Sequence, residues 1–239
     1  MKKILFILIS VLLFIPAVYA TSLKVDETDA TVDLGEGWIA FTRGNIKGNK
    51  TLEEYNITEE YMNNFFQNNQ AYLDAVLFAD DGKVLEMFIR INDNKAIKNA
   101  SNQSDDFMKE LADEYKKEIN SDNVTTYNSS YKWVVLDHVD NDKYLVEYIT
   151  IVNGKNYTFT LQCSREITSE EKKMFKGVID KVSFDIDETL TETYNYKKDR
   201  GFWSSAIGKM LIYGGIGALT GGLTTLLKKK KKNENETNE

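Results

Sequence analysis

The chain has 239 residues and a formal charge of −7. Between residues 21 and 200 it carries 22 Lys and Arg against 34 Asp and Glu, a local charge of −12 that argues against a nucleic-acid-binding protein. Its one cysteine, Cys163, excludes an intramolecular disulfide, and its one proline, Pro16, excludes a proline-rich linker.

The N-terminus has the composition of a secretory leader. Lys2 and Lys3 precede an apolar run, and a small residue, Ala20, stands at the expected cleavage site. Thr21 follows in place of the cysteine that a bacterial lipoprotein needs. We therefore expect residues 1–20 to be a signal peptide, with an uncleaved membrane anchor as the alternative.

Residues 21–186 are predicted to form one exported domain. Two short strands flank Gly35-Glu36-Gly37, and a helix capped by Thr58 follows. Apolar segments on either side of residues 80–83 predict a hairpin, and Ser104 caps a second amphipathic helix.

The second half of this domain is predicted to be a meander. Residues 124–163 contain three or four strands, with turns at residues 140–142 and at Asn153-Gly154. A capping box, Thr168 to Glu171, then opens a third helix. Because hairpins dominate, the expected fold class is α+β, a largely antiparallel sheet with helices packed on it.

Several segments resemble PsbP-type domains, a family that includes a photosystem II accessory protein and exported bacterial proteins. They are "LGEGWIAF", "NGKNYTFTLQCSREITSEEKKMFKGVIDKVSF" and its final "KVSF" at 181–184, and the resemblance covers residues 28–186. The chain departs from the family at Glu36, where a proline is common. The resemblance implies an antiparallel sheet with helices on its faces and a mostly non-catalytic role in binding or assembly. It carries over no functional residue.

Two residues could support a thiol reaction. Cys163 and the single histidine, His138, fall at the ends of neighbouring predicted strands, so they could be close together. No cysteine-protease signature surrounds Cys163, and a lone cysteine is usually a small buried hydrophobe. A non-catalytic binding or assembly module is therefore the leading function, and an exported hydrolase or thiol enzyme is the alternative.

Asp137, His138, Asp140 and Asp142 could ligate a divalent cation. The spacing is not that of an EF-hand, and Asp and Asn are favoured in turns for their own backbone hydrogen bonds, so a hairpin turn is the preferred interpretation. The mature chain contains no dinucleotide, phosphate-loop, zinc-protease or serine-hydrolase motif, and we expect no cofactor.

The C-terminal part is predicted to be a membrane anchor. Residues 187–203 form a juxtamembrane linker, and residues 204–227 form a transmembrane helix whose 18 uncharged residues from Met210 to Leu227 would reach about 27 Å. Phe202 and Trp203 would lie in the interfacial aromatic belt.

The tail, residues 228–239, predicts the orientation. Five consecutive lysines act as a cytoplasmic membrane stop and could also attract anionic lipids, and the exported domain then lies outside the cell membrane. These lysines are Lys228, Lys229, Lys230, Lys231 and Lys232. Membrane lipid is thus one expected partner.

Small residues recur every four positions within the expected span. Such spacing makes a flat face on which another helix can pack, so self-association or a protein partner is a hypothesis for this face. The residues are Gly214, Gly217, Ala218, Gly221 and Gly222.

Overall fold

The computed structural model of the chain describes residues 22–94, 96–191, 201–205 and 208–209. Its helices and strands, in chain order, are β1 (Leu23–Lys24), β2 (Ala30–Val32), β3 (Ile39–Thr42), α1 (Lys50–Glu54), α2 (Glu59–Asn68), β4 (Ala71–Phe78), β5 (Val84–Asp93), a 3₁₀ helix (Ala100–Asn102), α3 (Asp105–Ile119), β6 (Val124–Asn128), β7 (Lys132–Asp140), β8 (Lys143–Val152), β9 (Lys155–Cys163), α4 (Ser169–Asp180) and β10 (Ser183–Phe184).

A seven-stranded antiparallel sheet in the order β3-β4-β5-β9-β8-β7-β6 forms the centre of the domain. The predicted hairpin turns are confirmed. Asn153 and Gly154 have φ of +52° and +72°, and Asn141 and Asp142 have φ of +49° and +59°. Two-residue hairpin turns of this kind need positive φ at both central positions, which Asn, Asp and Gly adopt most readily.

One face of this sheet is covered by α4 and by a small sheet in the order β1-β2-β10. Aromatic side chains fill the space between these layers. The ring of Trp133 lies 5.6 Å from that of Phe159, and the ring of Phe184 lies 4.8 Å from that of Tyr157. The capping box of Thr168 and Glu171 opens α4, as predicted.

The opposite face is covered by two separate groups of helices. Phe66 of α2 packs with Phe41 and Phe88 over β3, β4 and β5. Phe107 and Leu111 of α3 lie instead over β6, β7 and β8. The fold is therefore the predicted α+β class, with the long sheet between a mixed layer and a helical layer.

Two local features differ from the sequence prediction. The segment around residue 50, to which the sequence prediction assigns no element, contains α1, because the Asn49 side chain accepts hydrogen bonds from the first turn and Leu52 is buried. The strands beside Gly35-Glu36-Gly37 exist but belong to different sheets. Residues of β2 pair with β10, which comes from the far end of the domain.

Within the described ranges, no helix is both long enough and apolar enough to cross a bilayer. The expected signal peptide, almost all of the expected span, its glycine-rich face and the lysine stop lie outside the described residues. They remain predictions from the sequence.

Candidate functional site

Polar side chains lie buried on the helical face of the sheet, in the zone between α2 and α3. We call this set the polar seam. Neighbouring strands place its members beside one another, because Glu86 pairs with Gln162, Arg90 with Thr158, and Glu147 with Thr160 in the strand register. Its members are Asp74, Glu86, Arg90, His138, Glu147, Thr158, Thr160 and Gln162.

Glu147 is the centre of the best-defined part of the seam. Its side chain is fully buried, and Oε1 accepts from Arg90 Nη2 at 3.3 Å and from the Thr160 hydroxyl at 3.0 Å. His138 Nε2 lies 2.8 Å from Oε2, where the carboxylate accepts its N–H. A buried carboxylate is tolerated only when paired and hydrogen-bonded in this way.

Glu86 forms the second part of the seam. It is fully buried and accepts a hydrogen bond of 2.6 Å from Gln162 Nε2. Asp74, also fully buried, lies nearby on β4. Tyr61 of α2 lies close to this pair. The pKa of its phenol is raised, chiefly by burial and then by the negative charges of Asp74 and Glu86.

Tyr115 of α3 covers the other part of the seam. It is 1% exposed, and burial, together with the charge of Glu147, raises the pKa of its phenol far above the ordinary value. Tyr61 and Tyr115 therefore lie over the seam from the two helices. Because Glu86 and Glu147 are 0% exposed, a substrate cannot touch them in this conformation.

A cavity of about 10 Å³ lies between α3 and the sheet. Its lining is mostly apolar and includes Met108, Leu111 and Ile149. A volume of this size admits one water molecule. The cavity is therefore too small for an organic ligand.

The structure separates Cys163 from His138, whose proximity the sequence had left open. Cys163 is 3% exposed and lies in the core on the α4 face of the sheet, with Phe159 and Leu161. His138 points to the opposite face, where it contacts Glu147. Alternate residues of a strand project to opposite faces, so the two side chains cannot form a thiol–imidazole pair in this fold.

The Asp137–Asp142 segment forms the predicted hairpin turn. Asp137 makes an ion pair of 2.5 Å with Lys172 of α4, whereas His138 points into the seam on the other face. In the part of the chain that the structure describes, no group of three or more His, Cys, Asp or Glu side chains has an arrangement that could hold a metal ion.

The C-terminal segment is attached to the domain at the end of the sheet where β8 turns into β9. Asn153 Nδ2 donates to the Asp185 carbonyl at 2.8 Å, and Asn153 Oδ1 accepts from the Asp187 N–H at 2.9 Å. Asn99 Nδ2 donates to the Leu190 carbonyl at 2.9 Å. These bonds hold the chain after β10 against the β8–β9 turn and the 3₁₀ helix.

The chain then packs on α3. Phe202 is 2% exposed and belongs to the same apolar cluster as Phe107, whose ring stacks on that of Trp203 at 5.5 Å and 30°. The Trp203 indole N–H donates to Glu110 at 3.3 Å. Phe202 and Trp203 thus pack on the domain, and their position in an interfacial aromatic belt stays a prediction from the sequence.

Gly208 allows the chain to approach these aromatic residues closely. A Cβ at this position would lie 2.2 Å from the Phe202 carbonyl oxygen and 2.7 Å from Trp203 Cα. Only glycine fits such a contact with backbone. Residues 201–205, 208 and 209 are called the C-terminal clamp below.

Sequence reasoning missed both the polar seam and the clamp. The seam has a weak signal, a charged residue inside a long apolar strand, as with Glu86 in "VLEMFIRIN" and Glu147 in "KYLVEYITIV". The only sequence signal of the clamp is a pair of adjacent aromatic residues, Phe202 and Trp203. Such a pair is equally typical of a membrane interface.

No family model matches the chain, and no curated protein is significantly similar to it. Among solved structures, it is similar to cyanobacterial PsbP (CyanoP) from Synechocystis sp. PCC 6803, with 11% identity over 72% of this chain and 95% of that one and a TM-score of 0.41. It is also similar to a Bacteroides thetaiotaomicron protein, with 9% identity over 70% of this chain and 47% of that one and a TM-score of 0.35.

This chain spans about half of the Bacteroides protein. The identities and superpositions are low, and no residue role or activity is transferred from either protein.

Proposed function

We propose that this chain is a non-catalytic binding or assembly module held at the outer face of a cell membrane by its C-terminal segment. The observation that carries the proposal is the docking of Phe202 and Trp203 on α3, directly before the segment expected to span the membrane. The residues that lead into the expected anchor therefore pack on the domain.

A binding role is supported by what the domain exposes and what it buries. Its ionisable cluster is closed beneath Tyr61 and Tyr115, away from any dissolved substrate. Large apolar side chains are exposed instead at the sheet end opposite to the β8–β9 turn. These are Phe78 at 47%, Val139 at 57% and Tyr144 at 38%.

Val139 and Tyr144 are directly paired across β7 and β8 and lie on the same face. Cross-strand neighbours of this kind present one continuous apolar surface. In the proposed function a protein partner contacts this pair, because it is exposed, apolar and carried by a rigid hairpin.

Extraction at alkaline pH tests the membrane part of the proposal. Membranes from cells that express the full chain are washed with carbonate, and the protein is expected to stay in the pellet. The double variant Leu219→Arg plus Leu223→Arg places two charges inside the expected span, at a cost of about 2.5–3.5 kcal/mol each, and is expected to be released. Release of the unaltered chain into the supernatant would contradict the proposal.

A further inference from the structure

We propose that the C-terminal clamp fixes the domain in one orientation on the bilayer, with the β8–β9 turn, the 3₁₀ helix and the start of α3 directed at the lipid headgroups. This inference rests on the proposed membrane anchorage and adds to it a lipid-facing surface. A flexible tether would leave the domain free to rotate, whereas a docked one does not.

The chain leaves little length between the docked rings and the expected span. Ser205 N–H donates to the Gly201 carbonyl at 2.9 Å, and Lys209 N–H donates to the Ser205 carbonyl at 3.0 Å. A Cβ at Gly208 would lie 2.7 Å from Trp203 Cα, so Gly208, the residue before Lys209, still lies beside the docked rings. Gly208 reduces the freedom further, because it contacts the Phe202 backbone.

The surface beside the clamp is suited to a lipid headgroup layer. Ile186 is 45% exposed, and its neighbours Asp185 and Asp187 are both hydrogen-bonded to Asn153 at this end of the sheet. An exposed isoleucine at this position can insert into the interface.

Two acidic residues of the same end have cationic partners. Asp105 pairs with Lys132 at 2.7 Å, and Asp185 pairs with Lys24. Paired carboxylates repel anionic headgroups less than free ones do. These two ion pairs reduce the repulsion between this end and anionic headgroups.

This orientation points the other end of the sheet away from the membrane. The β4–β5 and β7–β8 hairpins lie there, because Tyr144 pairs with Cys163, the last residue of β9, and not with the Asn153 end. Val139 and Tyr144 are consequently displayed towards partners in the extracytoplasmic space.

Fluorescence quenching in vesicles tests the orientation. Full chains that carry a thiol-reactive fluorophore at Ile186→Cys or at Val139→Cys are reconstituted into phosphatidylcholine–phosphatidylglycerol vesicles containing nitroxide-labelled headgroups. A strand of nine or ten residues separates the two ends by about 30 Å, so the Ile186→Cys probe is expected to be quenched roughly threefold more than the Val139→Cys probe. Equal quenching of the two probes would overturn the inference.

Flotation of the same vesicles separates the two proposals. Protein that does not float with lipid contradicts the membrane anchorage and the orientation together, whereas protein that floats but shows equal quenching contradicts the orientation alone. The variant Gly208→Ala is expected to lower the difference between the probes by displacing the clamp from α3.

Gly177→Ala is the matched control, because a Cβ at this exposed helical glycine meets no atom within 4 Å. It is expected to keep the full difference between the probes. An undiminished difference in the Gly208→Ala variant would overturn the role of the clamp.

Discussion

Glu147 connects four strands through its side chain. It lies on β8 and accepts hydrogen bonds from Arg90 of β5, Thr160 of β9 and His138 of β7. Such a network is satisfied in only one strand register, because a shift by one residue would move each of these groups to the opposite face. The seam therefore acts as a determinant of the sheet's pairing as well as a source of stability.

Replacement of Glu147 by alanine is expected to destabilise the domain by roughly 3–5 kcal/mol, because it leaves the Arg90 guanidinium buried without its carboxylate. Thermal unfolding of the full chain in mild detergent measures the effect. Glu147→Gln keeps an acceptor at the same place and should cost less. Glu118→Ala, at an exposed position of α3, is the control and should change stability by no more than about 0.5 kcal/mol. Equal effects of Glu147→Ala and Glu118→Ala would show that the seam does not stabilise the fold.

Elements whose signals are local could be predicted from the sequence. The caps of α2, α3 and α4 at Thr58, Ser104 and Thr168, and the Asn153-Gly154 turn, depend on hydrogen bonds and φ values within a few residues. The pairing of β2 with β10 could not be predicted, because it joins residues about 150 positions apart in two- and three-residue strands that carry no periodicity.

The start of α4 is expected to be sensitive to acid. Hydrogen bonds from Arg165 chiefly, and from Thr168, lower the pKa of Glu171 below its ordinary value of 4.5. A lowered carboxyl pKa contributes stability that is complete above the unfolded pKa and is lost as the pH falls through the folded pKa. Unfolding measured from pH 6 down to about pH 3 should therefore show a shallower acid decline in Glu171→Gln than in the unaltered chain.

The glutamine oxygen can still accept the Thr168 N–H of the capping box, so the variant removes the charge and one of the two hydrogen bonds from Arg165. Glu170→Gln, at the exposed neighbouring position, is the matched control and should leave the acid decline unchanged. Identical pH profiles for the Glu171→Gln variant and the unaltered chain would contradict the assignment.

The whole molecule combines a sheet domain with a C-terminal segment that packs on it. Apolar–polar alternation and hairpin turns were sufficient to predict the α+β class, because they identify individual strands and the side of each strand that is buried. They could not place Cys163 and His138 on opposite faces without the strand register, nor reveal that Phe202 occupies the α3 cluster. Both depend on contacts between distant parts of the chain.

Sided cysteine labelling tests the central claim, that the domain lies outside the membrane and the lysine tail inside. Native Cys163 is 3% exposed and should react little with a maleimide, so the labelling signal comes from the introduced cysteine. In intact cells, a membrane-impermeant maleimide should label Ser130→Cys, in the exposed β6–β7 loop, and should label Asn233→Cys only after permeabilisation. Labelling of Asn233→Cys in intact cells, or protection of Ser130→Cys until permeabilisation, would contradict the account.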